Sequence, residues 1–214
     1  MLIEAAVESL DAALAAVEGG AHRIELCTDL AHGGTTPDLQ LLRESRSLAP
    51  IPVFVLVRPR AGDFVYTDAE HRTMLEQIRQ AKEAGAQGVV SGALLGDHIA
   101  TDRTAELIAA AQPLPFTFHR AFDECHDQAA ALDTLIALGA GRVLTSGGAP
   151  TAIEGVEQIG RLVRQSRGRI EILPGGGVNA ANVRTIRDAG VRELHFSVTN
   201  AGKVRQVIEA LLAR

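Results

Sequence analysis

A unit made of an apolar strand followed by a helix recurs along the whole chain about every 25–30 residues, the length of a βα unit. The predicted strands lie at residues 2–6, 22–27, 52–57, 87–91, 116–119, 142–145, 170–173 and 193–197. The longest predicted helix spans residues 68–84, with Asp68 as its N-cap. Eight such units joined by short loops predict an α/β fold, a single-domain (β/α)8 TIM barrel over residues 1–214.

The competing fold for alternating strands and helices is a doubly wound open sheet. That fold usually carries a G-x-G-x-x-G sequence after its first strand. The residues that follow the first predicted strand here, Val7, Glu8 and Ser9, do not match the pattern. The barrel is therefore the favoured prediction.

The fifth predicted strand ends in a group of ionisable residues. Phe116 and Phe118 alternate with Thr117 and His119, so that His119 faces away from the apolar side of the strand. In a barrel, catalytic groups lie at the carboxyl ends of the strands. His119 is the first candidate for acid–base chemistry, because histidine titrates near neutral pH. Asp123 is predicted either to orient His119 or to cap the next helix.

Other strands also direct charged residues toward the same opening. The alternation predicts that the inward-facing residues are Glu4, Glu25 and Cys27, then Arg58 and Arg60, and finally His195 and Ser197. Buried charges need partners, so these groups are expected to pair with one another or with a ligand. One interpretation is a structural layer of ion pairs in which Glu4 or Glu25 satisfies Arg58. For Glu25, Arg58 and His119, which come from three strands, a functional site is the favoured interpretation.

Glycine-rich loops follow the sixth and seventh strands. A candidate anion site consists of Arg60, Ser146, Gly147, Gly175, Gly176, Gly177 and Ser197. Adjacent glycines let backbone N–H groups approach an anion, and barrels often bind phosphate at the loops after strands seven and eight. The alternative is that these glycines only make tight turns.

The composition excludes several classes of protein. The net charge is −5 and no run of Lys or Arg occurs, which argues against a nucleic-acid partner. No apolar run reaches the ~18 residues needed to cross a membrane. The first residues lack the basic segment of a signal peptide, so we expect a cytoplasmic protein. Association between copies of the chain stays open.

The two cysteines, Cys27 and Cys125, lie far apart in the sequence and lack zinc-type spacing. Their strands are not neighbours in an eight-stranded barrel, so the thiols could meet only across its opening. Two thiolates that met there would prefer Cu(I) or zinc. The alternative is two ordinary reduced thiols.

Six ordered motifs resemble the copper homeostasis protein CutC family. They are RIELC at 23–27, GGTTP at 33–37, RPRAGDF at 58–64, TFHRAFD at 117–123, LTSG at 144–147 and GGGV at 175–178. The resemblance implies a cytoplasmic (β/α)8 barrel with a role in copper tolerance. It also implies that any bound copper is held by Cys27 and Cys125.

Two functional hypotheses follow. The first is a copper homeostasis protein that binds Cu(I) through Cys27 and Cys125. The second is an enzyme for a small anionic or phosphorylated metabolite, with Glu25, Arg58, His119 and Asp123 as catalytic residues. In it, His119 moves the proton, and Arg58, Arg60 and the glycine loops hold the anion. The number of ionisable groups favours the second hypothesis, since two thiols alone would suffice for a copper site.

Overall fold

Eight parallel strands form the centre of the molecule, in the order β10-β1-β2-β3-β4-β7-β8-β9. The computed structural model describes residues 1–213. The strands of this sheet are β1 (Leu2–Val7), β2 (Arg23–Leu26), β3 (Val53–Leu56), β4 (Gly88–Ser91), β7 (Phe116–Phe118), β8 (Arg142–Thr145), β9 (Glu171–Pro174) and β10 (Glu193–Ser197). The helices are α1 (Leu10–Gly19), α2 (Leu39–Leu48), α3 (Asp68–Glu83), α4 (Thr101–Ala111), α5 (Gln128–Leu138), α6 (Val156–Ser166), α7 (Val183–Asp188) and α8 (Ala201–Leu212). The prediction of a (β/α)8 barrel is confirmed.

The barrel is nearly closed. Strands β9 and β10 lie side by side, and within the described residues no hydrogen-bonded ladder joins them. Elsewhere the register fixes which inward-facing side chains share a layer. Glu4 aligns with both Arg23 and His195, whereas Glu25 aligns with Ala6, one layer closer to the carboxyl ends.

Apolar side chains fill both sides of the sheet. Ile24 and Leu26 of β2 face outward into the large core between the strands and the helices. Inside the barrel, a smaller buried cluster contains Cys27, Phe54, Leu56 and Val90. Gly88 leaves room for the Phe54 ring, because a Cβ at this position would lie 2.5 Å from ring atoms. Among the helices of residues 1–213, none has the length and apolar character required to cross a lipid bilayer.

Two local elements differ from the sequence prediction. A hairpin of β5 (Leu94–Leu95) and β6 (His98–Ile99) precedes α4, and strands of two residues are too short to show an alternating pattern. The sequence predicts a helix over residues 179–188, but α7 begins at Val183. The side chains of Asn179 and Asn182 form a turn instead, in which both amides donate to Gly177 O at 2.9 Å.

A capping box fixes the start of α3. Thr67 Oγ1 accepts a hydrogen bond from Glu70 N at 3.2 Å, and Glu70 Oε2 accepts one from Thr67 N at 2.7 Å. The prediction that Asp68 is the N-cap is therefore wrong. Asp68 is the first helical residue, where its negative charge interacts favourably with the positive end of the helix dipole.

We expect Thr67→Ala to lower the free energy of unfolding by about 1 kcal/mol, because Glu70 N loses its acceptor. Thr73→Ala on the same helix is the matched control, since the Thr73 hydroxyl only donates to a helix carbonyl at Ala69. Urea denaturation measures both values. Equal stabilities for the two variants would contradict this role of Thr67.

Candidate functional site

A cavity of about 570 Å³ opens at the carboxyl ends of the strands. Its ionisable and polar lining residues are Glu25, Arg58, His119, Arg120, Asp123, Glu124, His195, Ser197 and Lys203, and its glycines include Gly176 and Gly177. Glu25, Arg58 and His119 thus surround one opening, although they come from three separate strands. This end of the barrel is the candidate functional site.

A layer of paired charges lies inside the barrel beneath the cavity. Arg23 Nη2 donates to Glu193 Oε2 at 2.5 Å, and Arg142 Nε donates to the same oxygen at 2.9 Å. Arg23 Nε donates to Glu4. The Phe54 ring packs against both guanidinium groups, with its centroid 4.9 Å from Arg23 Cζ and 5.4 Å from Arg142 Cζ. Two carboxylates and two guanidinium groups balance one another in this layer.

The predicted layer of ion pairs therefore exists, but its partner for Glu4 is Arg23 and not Arg58. Burial alone would raise the pKa of Glu4, which is 0% exposed. The hydrogen bond from His195 and the charge of Arg23 outweigh burial and lower the pKa of Glu4 to about 2. Glu4 is consequently a permanent anion at the base of the site.

Glu4 also orients His195. Its Oε1 lies 2.8 Å from His195 Nδ1, so this nitrogen carries the proton in the pair. Burial would lower the pKa of His195, but the carboxylates of Glu25 and Glu4 hold that pKa above its ordinary value. The other ring nitrogen of His195, Nε2, lies on the far side of the ring from Glu4.

Glu25 differs from Glu4 in forming no ion pair within residues 1–213. Its side chain is 5% exposed, and its Oε2 atom has no hydrogen-bond partner among the described residues. Burial, together with the charge of Glu4, raises the pKa of Glu25 to about 7, although His195 and Arg23 act in the opposite direction. A buried carboxyl with this pKa exchanges its proton near neutral pH.

Glu4, Glu25 and His195 each offer one donor atom within 4.8 Å of the others, close enough to share a cation. However, both oxygens of Glu4 are already engaged, one by Arg23 and one by His195. The charge of Arg23 also opposes a second cation in the same place. We therefore interpret the three residues as a cluster that shares protons.

His119 is neutral in its buried position. Its Nδ1 accepts a hydrogen bond from Ala121 N at 3.3 Å, which leaves the proton on Nε2, and Nε2 has no partner in the described residues. Burial and the nearby charge of Arg58 lower the pKa of His119 to about 3. The Phe64 ring packs against the imidazole with a centroid distance of 4.8 Å. At pH 7 the ring is thus a hydrogen-bond donor rather than an acid.

Arg58 holds two loops together at the edge of the cavity. Its Nη1 donates to Gly34 O at 2.7 Å and to His32 O at 3.0 Å, and its Nη2 donates to Gly62 O at 2.7 Å. These acceptors are neutral carbonyls, so the positive charge of Arg58 is not cancelled by an ion pair. It contributes a positive potential to the cavity.

Asp123 organises the loop after β8 and has no hydrogen bond to His119. It accepts hydrogen bonds from Thr145 Oγ1 at 2.5 Å, from Ser146 N at 2.9 Å and from Gly148 N at 3.1 Å. Arg120 Nε also donates to Asp123, at 2.8 Å. This many donors stabilise the carboxylate and fix the loop.

The candidate anion residues divide into two groups. Arg60 does not line the cavity and instead pairs with Glu70 at 2.6 Å and Asp63 at 2.9 Å on the protein surface. Gly147 N donates to Thr145 Oγ1 and Gly175 N donates to Thr145 O, so these two N–H groups are used within the protein. The Ser146 hydroxyl is also used within the protein, since it accepts from Arg120 Nη2 at 2.6 Å and donates to Ala149 O at 2.5 Å. The remaining candidates are Gly176, Gly177 and Ser197, which line the cavity.

The two cysteines lie in different clusters of buried side chains. Cys27 is inside the barrel, and its Sγ donates to Val7 O at 3.5 Å. Cys125 belongs to the large outer core, with its Sγ 4.0 Å from Ala121 O. Burial and nearby carboxylates raise the pKa of the Cys27 thiol, and they raise the pKa of Cys125 to about 12. Both thiols are therefore protonated at neutral pH.

Four ionisable cavity residues lie outside the predicted catalytic and anion-binding sets: Arg120, Glu124, His195 and Lys203. The alternation in β10 already directs His195 inward, but the sequence does not show that Glu4 orients it. Arg120 follows His119 directly, and its position depends on the short 3-10 helix Arg120–Glu124. Lys203 lies in the first turn of α8 and carries no sequence signal.

The fold and the site define a (β/α)8-barrel protein with a cavity of ionisable side chains at the carboxyl ends of its strands. A family model described as the CutC family matches residues 1–200, and the chain belongs to this family. The human copper homeostasis protein cutC homolog is 49% identical over 198 residues, which cover 92% of this chain and 72% of the relative. The mouse homolog is 48% identical over 202 residues, 94% of this chain and 74% of the relative.

A solved structure shows the same architecture. The crystal structure of the putative copper homeostasis protein CutC from Streptococcus agalactiae has 38% sequence identity and a TM-score of 0.87. The match covers 92% of this chain and 98% of that one. The relatives of this chain in sequence and in structure thus carry the name copper homeostasis protein CutC.

We expect Glu25→Gln to stabilise the protein at high pH. The pKa of Glu25 rises from an ordinary 4.5 to about 7 on folding, so between these values the folded state binds the extra proton and stability falls as pH rises. The variant does not titrate there, and its advantage at pH 8 should reach up to roughly 3 kcal/mol and largely vanish at pH 4.5. Urea denaturation at both pH values measures it.

Glu157→Gln, at a side chain that is 88% exposed, is the control for removing one negative charge. A wild-type protein as stable as Glu25→Gln at pH 8 would contradict the raised pKa of Glu25.

Proposed function

We propose that this chain is an enzyme that transfers a proton on a small anionic metabolite bound in the cavity. Glu25 is the group that accepts and returns the proton. The single observation that carries the proposal is the buried Glu25 carboxyl, which lines the cavity, has one oxygen without a partner among the described residues, and has a pKa of about 7. A proton-transfer group is most effective when its pKa lies near the working pH.

His119 has a different role in this proposal from the one that the sequence predicts. A pKa of about 3 keeps its imidazole neutral, so it is a poor proton carrier at pH 7. Its Nε2–H can instead donate a hydrogen bond to an oxygen that gains negative charge. A carboxylate base and a neutral histidine donor together suit removal of a proton from a carbon next to a carbonyl.

The strand order supports this division of roles. Glu25 lies on β2 and His119 directly after β7, three strands apart around the barrel, and both line the same cavity. A small carbonyl compound between them would present a C–H bond to Glu25 and its carbonyl oxygen to His119. Glu25 would take the proton, the C–H electron pair would form a C=C bond, and the C=O π pair would move to the oxygen. Glu25 would then return the proton to carbon as the carbonyl reforms.

The test is proton exchange with solvent. Mixtures of small phosphorylated and carboxylated carbonyl compounds are incubated with the protein in D2O, and 1H NMR follows the loss of carbon-bound protons. We expect exchange with the wild type and at least about a hundredfold slower exchange with Glu25→Gln. His119→Gln should slow exchange without moving its pH profile, because His119 does not titrate near pH 7.

Arg161→Gln, on the exposed face of α6, is the control for these measurements. No exchange by the wild type in any compound, or an unchanged rate in Glu25→Gln, would contradict the proposal.

Copper binding through Cys27 and Cys125 is the second hypothesis, favoured by the names of the human and mouse relatives. Cu(I) prefers thiolates, so binding here would require both buried thiols to lose their protons and to approach each other from separate clusters. Copper would then be cargo rather than a resident cofactor.

This hypothesis predicts stoichiometric Cu(I) uptake under reducing conditions, measured against a Cu(I)-selective chelator. The double variant Cys27→Ser with Cys125→Ser should lose that uptake, while Glu25→Gln should keep it. Unchanged affinity in the double cysteine variant would contradict the assignment.

A further inference from the structure

Three consecutive residues that line the cavity have backbone N–H groups without an acceptor among the described residues. Gly175 N donates to Thr145 O. The N–H groups of Gly176, Gly177 and Val178 donate to no group within residues 1–213, and these three residues line the cavity. Gly176 and Gly177 have φ values of +96° and +74°, which glycine adopts without strain. Successive N–H groups in such a conformation form an anion-binding concavity.

Arg120 is held beside these N–H groups. Its Nε donates to Asp123 at 2.8 Å and its Nη2 donates to Ser146 Oγ at 2.6 Å, so the guanidinium plane is fixed from two sides. The third nitrogen, Nη1, has no partner among residues 1–213. A Cβ on Gly176 would lie 3.2 Å from Arg120 Nη1. Because Gly176 has no side chain, the guanidinium can lie close to the Gly176 backbone.

Lys203, in the first turn of α8, adds a second cation. Its Nζ donates to Ser197 O at 2.6 Å and lies 5.8 Å from the centroid of the Phe196 ring. In the described part of the chain, Lys203 has no carboxylate partner, so its charge is not cancelled. The exposed Glu124 also lines the cavity, but solvent screens its charge.

We propose that Gly176, Gly177, Val178, Arg120 and Lys203 bind the phosphate group of a phosphate monoester. This inference rests on the proposed function and specifies its substrate class as a small phosphorylated carbonyl compound. The phosphate would lie at the loops after β9 and β10, and the carbonyl end would extend toward Glu25 and His119.

The number of donors favours phosphate over carboxylate. Three backbone N–H groups, the two protons on Arg120 Nη1 and the Lys203 ammonium exceed the roughly four lone-pair positions that a carboxylate offers. A phosphate monoester has three terminal oxygens and close to two negative charges at neutral pH. Asp123 does not repel this anion strongly, because its carboxylate already pairs with Arg120 and accepts hydrogen bonds from the β8 loop.

Inorganic phosphate is the probe, measured by isothermal titration calorimetry and by thermal unfolding at constant ionic strength. We expect phosphate to raise the melting temperature and acetate at equal concentration to have little effect. Arg120→Gln and Lys203→Gln should each weaken phosphate binding by about tenfold or more, since each removes a charged hydrogen bond. Arg161→Gln should bind phosphate as the wild type does.

Two variants are needed because Arg120→Gln also frees Asp123, and circular dichroism checks that each variant is folded. Phosphate that stabilises no more than acetate would overturn the proposal, as would wild-type phosphate affinity in Lys203→Gln. Phosphate binding is also measured with Glu25→Gln, where it should be retained. Phosphate binding without proton exchange would then reject the proposed function but not this site, and exchange without phosphate binding would reject only the site.

Discussion

The ion pairs inside the barrel are the interaction on which the site depends. Arg23 pairs with both Glu4 and Glu193, carboxylates from β1 and β10, and Arg142 supplies the second positive charge at Glu193. Burying such charges without partners would cost several kcal/mol for each ion. Because they are paired, the lower half of the barrel can be polar and ordered at the same time. Glu4, which is held in this layer by Arg23, orients His195 at the base of the cavity.

Two buried glutamates on neighbouring strands have opposite protonation behaviour as a result. Glu4 contacts Arg23 and His195 directly, whereas Glu25, one layer higher, is buried and forms no ion pair within the described residues. The same residue type therefore becomes a permanent anion in one layer and a titrating acid in the next. The difference in protonation between the two glutamates follows from the strand register, since Glu25 aligns with Ala6 and not with Glu4.

The sequence predicts the barrel and its inward-facing residues because both depend on local patterns. Strand alternation is enough to direct Glu25, Arg58 and His119 toward one opening. Side-chain pairing is not local: Arg58 bonds to carbonyls of two loops, and Asp123 bonds to the β8 loop, not to His119. Protonation states are equally inaccessible, because they depend on burial and on charges from distant segments. Short elements such as the β5–β6 hairpin contain too few residues for a periodic signal.

The hydrogen bonds of Asp123 have a consequence for ligand response. Arg120 and the backbone of Ser146 and Gly148 share this one carboxylate. Any anion that draws the guanidinium away from Asp123 also changes how firmly the β8 loop is held. Occupancy at Arg120 and loop order are thus linked equilibria, and thermodynamic reciprocity requires each to alter the other by the same factor.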